Sequence, residues 1–254
     1  MNLKVTFLLL FSAVLCPVWS QTFTIGYQMY YESIHGDLVE MSKTLVNNPL
    51  DKNSKPDLQL VYCNGVSLCG PIAESKEISD EKNSNENKIS TTRMRHSVYY
   101  QNQEENLFMK DFGDFLAPLG ETENPVISEQ LERYDWKIRD KKMMISGYHC
   151  TLATTIDING EQITAWYTDE IPIMHGVNGF FGLPGLIIQL QVETRILYIM
   201  TSIRQENKQT NLEKPTGNMM TQDEFQKYVK EVTRPRTITT PDGQVQTIRP
   251  ISNN

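Results

Sequence analysis

A few small groupings of residues in this chain could carry chemistry. Gly65-Val66-Ser67-Leu68-Cys69 opens like a nucleophile elbow. The elbow needs a glycine two residues after the serine and a helix behind it. Cys69 stands where the glycine should be, and no helical pattern follows. Asp169 and Glu170 are adjacent carboxylates. Neighbours in an extended strand point to opposite sides, so they cannot flank one scissile bond, and they read as strand-end charges. The histidines are His35, His96, His149 and His175, and none forms HxH or HExxH. His149 and Cys150, with Met143, Met144 and Met174, have the softness of a copper site. Their adjacency in a strand again sends the two side chains apart. They read as core methionines and a hydrogen-bonded histidine, and His96 as a core histidine. This reading assigns no catalytic residue, no metal and no cofactor. A metal- or thiol-dependent enzyme acting through Cys150, His149 and His175 is its least favoured alternative.

Four aromatic residues suit binding better than catalysis: Trp166, Tyr167, Phe180 and Phe181. Trp166 falls on a face otherwise rich in threonine, so either a second layer packs on it or it lines a groove. Phe180 and Phe181 present the same choice.

The element that must position them is Gly182-Leu183-Pro184-Gly185-Leu186-Ile187. Proline at the second position of a turn and glycine at the third predict a type II turn over 183–186, with Gly185 at φ of about +80° and Pro184 trans. The apolar run to Val192 then reads as a strand. This hexapeptide, with Trp136, Gly147-Tyr148-His149-Cys150, Ala165-Trp166-Tyr167-Thr168 and Glu170-Ile171-Pro172, resembles the GLPGLI family of exported proteins from Bacteroides-group Gram-negative bacteria. The resemblance is strongest over 130–200. Gly176-Val177 replaces the family's usual Gly-Pro, and His175 is not one of its motif positions. The resemblance implies a relative and no reaction.

Residues 1–20 read as a secretory signal peptide: Lys4, an apolar Val5–Leu15 stretch too short to span a bilayer, and small residues at Val18 and Ser20. Leu15 before Cys16 argues against a lipoprotein signal. The expected location is the periplasm or the medium, with no transmembrane segment in the mature chain. Loss of Lys4 takes the net charge from −7 to −7 − 1 = −8, which argues against a nucleic-acid partner. Export permits disulfides, and Cys63 and Cys69, flanking a short loop at Asn64-Gly65, are the candidate pair.

The rest of the chain alternates in the manner of strands: 22–33, 58–62, 66–68, a strand holding Met94 to Tyr100, 107–109, one ending near Trp136, 143–158, 186–192 and 196–203. Asn159-Gly160 predicts a two-residue hairpin loop that pairs Ile156 with Ile163, Thr154 with Ala165 and Leu152 with Tyr167, this being the core face. Capping boxes at Asp37–Glu40 and Thr221–Glu224 open short helices. Residues 73–88 lack aromatics, Pro and Gly and read as a disordered loop, and 234–254 as a mobile tail. The fold class is mainly β, an antiparallel meander curled into a half-barrel or sandwich with one or two short helices, as a single domain over 21–233.

By analogy with curved-sheet carriers, the function expected is a non-catalytic binding or carrier module of the cell envelope, for an apolar or protein ligand. The alternative is a structural or interaction protein of the envelope with no small ligand.

Overall fold

The computed structural model describes residues 21–38, 40–42, 55–72, 97–113, 124–132, 134–234, 236–239 and 245–248. The signal-peptide reading (1–20), the 73–88 loop and His96 lie outside the described residues.

Among the described residues twelve strands form one sheet: β1 (Thr22–Tyr31), β2 (Leu58–Cys63), β3 (Val66–Pro71), β4 (Val98–Asn102), β5 (Leu107–Asp111), β6 (Pro125–Gln130), β7 (Lys137–Ile145), β8 (Tyr148–Ile156), β9 (Gln162–Thr168), β10 (Leu186–Val192), β11 (Ile196–Glu206) and β12 (Asn218–Met220). Their order is β12-β6-β5-β4-β3-β2-β1-β11-β10-β9-β8-β7. β1 is central. From it the chain meanders outward to β6, crosses to β7 at the far edge, and meanders back until β11 pairs with β1. Among the described strands all pairings are antiparallel except β12 with β6.

This topology dictates curvature. Ten strand spacings separate β6 from β7, about 48 Å if the sheet were flat. The link is residues 131–136, which can span only about 25 Å. The sheet must therefore curl until its edges approach, and it remains open. The mainly β, curled-sheet expectation holds.

The convex side is partly covered. Tyr100, Met109 and Val126 pack with Leu212 of the segment after β11, and Thr22 Oγ1 donates to the Lys208 carbonyl. Leu38 and Met41, in a turn opened by Asp37, lie on Leu197 and Ile199. A short helix α1 (Glu32–His35) follows β1. Helix α2 (Gln222–Val232) begins at the Thr221 capping box: Thr221 Oγ1 accepts from Glu224 N–H and Glu224 accepts from Thr221 N–H. Phe225 stacks on Phe112 with ring centroids 4.1 Å apart. Thr221→Ala should cost about 1 kcal/mol, read as a lowered urea midpoint with unchanged slope.

Four expectations need correction. First, the strand placed near Trp136 is two elements: β6 ends at Gln130 and β7 begins at Lys137. Second, the β8–β9 register is one residue off: Ile156 faces Gln162, Thr154 faces Thr164, Leu152 faces Trp166 and Ala153 faces Ala165. The Asp157 carboxylate accepts from Asn159 N–H and Glu161 N–H. This enlarges the loop to Ile158-Asn159-Gly160, with Gly160 at φ +82°, a three-residue loop of the bulged kind. A one-residue slip exchanges faces: Ala153, Ile163 and Ala165 are buried and Ile156 is exposed.

Third, Cys63 and Cys69 are not bonded to each other. In the β2–β3 hairpin Cys63 faces Val66 while Cys69 faces Leu60. Those rungs are an odd number of residues apart, so the two thiols project from opposite faces. Fourth, where a tail is expected, β13 (Arg236–Thr239) and β14 (Val245–Ile248) pair as an antiparallel ribbon.

Candidate functional site: the insertion across the concave face

Between β9 and β10 the chain makes an excursion, 169–185, folded as a miniature hairpin. Gly176 N–H donates to Phe180 O at 2.7 Å and Gly182 N–H to Met174 O at 2.9 Å, around a 3-10 turn at Val177–Gly179. Ile173, Val177 and Leu183 are fully buried and Phe180 nearly so. They join Ile25, Tyr27, Leu58, Leu60 and Tyr198 of the sheet in one cluster. The chain fills its own concavity.

Polar contacts hold the insertion down. The tightest group centres on His175, 1% exposed. Its Nδ1 lies 2.7 Å from Ser67 Oγ on β3. Ser67 Oγ is 3.4 Å from Gln101 Oε1 on β4, and Gln101 Nε2 donates to Gly179 O at 2.6 Å. One direction satisfies this chain: His175 Nδ1–H to Ser67, Ser67 O–H to Gln101, Gln101 N–H to the Gly179 carbonyl. Nε2 of His175 then has a buried lone pair and no partner. Tyr62 and Phe181 meet the imidazole edge-on, at centroid distances of 5.3 and 6.3 Å. Burial pulls the His175 pKa down to about 4, so the ring is neutral at pH 7. Asn178 N–H reaches Cys69 Sγ at 3.4 Å, and burial pushes that thiol up to about 12. Tyr27 O–H donates to Ile187 O at 2.7 Å.

The crossover 131–136 lies on top. Trp136 Nε1–H donates to Phe181 O at 2.9 Å. Tyr134 packs against Phe180 at 5.0 Å and against Trp136 at 5.8 Å. Burial raises the Tyr134 phenol to about 12. Tyr134 and Trp136 are themselves half-buried.

The hexapeptide forms the insertion's exit, and its turn is not type II. Gly185 N–H donates to Leu183 O at 2.8 Å, closing a three-residue γ-turn on trans Pro184. Leu186 N–H, which would close a type II turn, bonds instead to Ile171 O at 3.0 Å. Gly185 has φ +156°, not +80°. Its constraint is proximity: a Cβ there would sit 1.9 Å from the Thr168 carbonyl oxygen. The strand expected after the turn is present as β10.

The expected binding residues are therefore split. Phe180 and Phe181 meet Tyr134, Trp136 and His175. Trp166 and Tyr167 lie on opposite faces of β9 and both are buried, with Lys141 Nζ 5.6 Å from the Trp166 ring centre. The alternative enzymatic trio does not assemble. His149 is exposed and held by Glu170, Nδ1 to Oε1 at 2.9 Å. Cys150 is buried, its thiol raised to about 12 by that burial. His175 is taken up by Ser67. Among the described residues no group of three His, Cys, Asp or Glu side chains could hold a metal ion. Sequence reading missed the Ser67–His175 pair, whose members are 108 residues apart. It also missed Tyr134, which carries no motif.

A family described as "Protein of unknown function (Porph_ging)" matches residues 158–189, from the β8–β9 hairpin tip through the insertion into β10. No curated protein matches. Among solved structures the chain is similar to PNGF-II in its C2 and P21 crystal forms, each at TM-score 0.51 and 16% identity over 88% of this chain and 37% of that one. At that identity the likeness is one of fold, and this chain corresponds to a little over a third of the PNGF-II length. No helix among the described residues is long and apolar enough to cross a membrane.

Proposed function

We propose that this chain is an exported GLPGLI-type protein of the cell envelope whose role is to bind another protein, without catalysis and without an apolar cargo. One observation carries this reading: the concave face, where a curved-sheet carrier would hold its ligand, is filled by residues 169–185 of the same chain. Phe180, Leu183 and Val177 occupy the place of a cargo and are secured by Ser67, Gln101 and Trp136. Export rests on the sequence of residues 1–20, and family membership on the hexapeptide and its flanks, with the match over 158–189 in support. The raised Cys69 and Cys150 thiols and the buried, neutral His175 are poorly suited to nucleophilic work. A polarity-sensitive apolar dye added to the purified protein, together with native mass spectrometry of protein taken from its own periplasm, tests the reading. Neither dye uptake nor a co-purifying lipid is expected. Stoichiometric lipid would overturn it in favour of a carrier.

A further inference from the structure

β7 ends the sheet: it pairs with β8, and among the described residues no strand pairs with its other side. The opposite edge is guarded. β12 is three residues long and leads through Thr221 into α2, whose first N–H bonds to Glu129 of β6 at 2.7 Å. β7 is nine residues long, and Lys137 to Lys142 are all exposed. Four of those six residues are cations, Lys137, Arg139, Lys141 and Lys142, against one anion, Asp140: +4 − 1 = +3, in a chain of net −7. Two head groups are held in position, Arg139 Nε by Thr154 Oγ1 at 3.2 Å and Lys141 over the Trp166 ring.

Lysines and a bulge, here between Ile138 and Lys142, are devices that keep an edge from pairing indiscriminately. Protection alone does not account for the apolar side chains beside them. Ile138 is 55% exposed, Met144 47%, and Ile156 on the adjoining strand 68%. Apolar contact with a cationic border selects one kind of strand and rejects another. A second copy of this edge would bring +3 against +3.

We propose that β7 accepts an extended, acidic segment of a partner protein as a thirteenth strand. The free backbone groups of the edge supply hydrogen bonds, Ile138 and Met144 supply apolar contact on one face, and on the other Lys137, Arg139 and Lys141 read carboxylates at alternate positions of the incoming strand. The inference rests on the protein-binding reading above and gives that reading a surface and a partner chemistry.

The probe is a fluorescent ten-residue peptide alternating Glu and Val, compared with a Lys–Val analogue, with the Glu–Val peptide N-methylated at alternate residues, and with a thymidine decanucleotide. Fluorescence anisotropy on the intact protein should show saturable binding of the Glu–Val peptide, falling with added salt. The Lys–Val and N-methylated peptides should not bind. The quadruple charge reversal K137E/R139E/K141E/K142E should weaken binding about tenfold or more. Because the N-methylated peptide is tested on the unaltered protein, the result does not depend on that variant folding. Absence of binding, equal binding of the N-methylated peptide, or tighter binding of the oligonucleotide would overturn the assignment of β7. Without lipid uptake, such a failure removes only this edge as the docking surface; lipid uptake removes the protein-binding reading itself.

Discussion

Gly185→Ala should leave little folded protein, or cost on the order of 4 kcal/mol or more in a urea titration. A methyl group there would lie 1.9 Å from Thr168 O, 2.6 Å from Thr168 C and 2.9 Å from Asp169 Cα. All three atoms are backbone, and no rotamer change can relieve them. Thr168 is the last residue of β9 and pairs with Leu186, so relief must separate two strands of the core. Losses of that size come from a short list of causes, and forced backbone displacement in a packed interior is one of them. Gly182→Ala provides the contrast. Its φ is +96°, but the nearest atom to a new Cβ is Trp136 Cδ1 at 3.9 Å. The cost there is conformational, about 1–2 kcal/mol. Equal effects of the two variants would remove the close approach as the reason for glycine at 185.

The second large effect is acid destabilisation through His175. The unfolded ring titrates near 6.5, and in the folded protein burial brings it to about 4. Between those values the unfolded chain binds more protons than the native one, so stability falls as pH falls. The loss begins below pH 6.5 and levels off below about 4. A shift of that size is worth about 3 kcal/mol. The groups around the ring are Ser67, Tyr62 and Phe181, and none offers a negative charge to a protonated imidazole. Denaturant midpoints measured from pH 7.5 to 4 should therefore drop steeply. His175→Asn should be less stable at pH 7.5 yet show a shallower slope. An unchanged slope in that variant would place the acid sensitivity elsewhere.

Much of the fold could be read from period-two patterning, and the errors have identifiable causes. β10, β11 and the Thr221 cap were legible because the signal is local. Asn159-Gly160 announces the hairpin but not its register. Asp157, two residues earlier, takes two loop N–H groups and adds a residue to the loop, and an Asp at that spacing is itself a signal. For Cys63 and Cys69 the sequence carries its own counter-signal: a two-residue loop at 64–65 fixes which residues oppose each other, and parity puts the thiols on opposite faces. The terminal ribbon had its own cue in Thr240-Pro241-Asp242-Gly243, a turn sequence between β-branched runs. The type II assignment failed for a nonlocal reason. Leu-Pro-Gly-Leu fits either turn, and the competition for Leu186 N–H is decided by Ile171. The Ser67–His175–Gln101 chain joins three segments that meet only after the sheet curls, so no spacing in the sequence announces it.

The central position of β1 has a consequence for how the molecule is made. Thr22 pairs on one side with Cys63 and on the other with Glu206. The earliest of the described strands in chain order is thus among the last to be completed, because one of its borders stays bare until β11 has emerged. β2 to β6 can assemble on β1 as a growing meander, while β7 to β11 have no attachment to it until β11 arrives. Such long-range closure makes folding slow and leaves a naked edge on the intermediate. The half ending at β6 should accumulate as the kinetic intermediate, and the final step should join the two halves along β1 and β11.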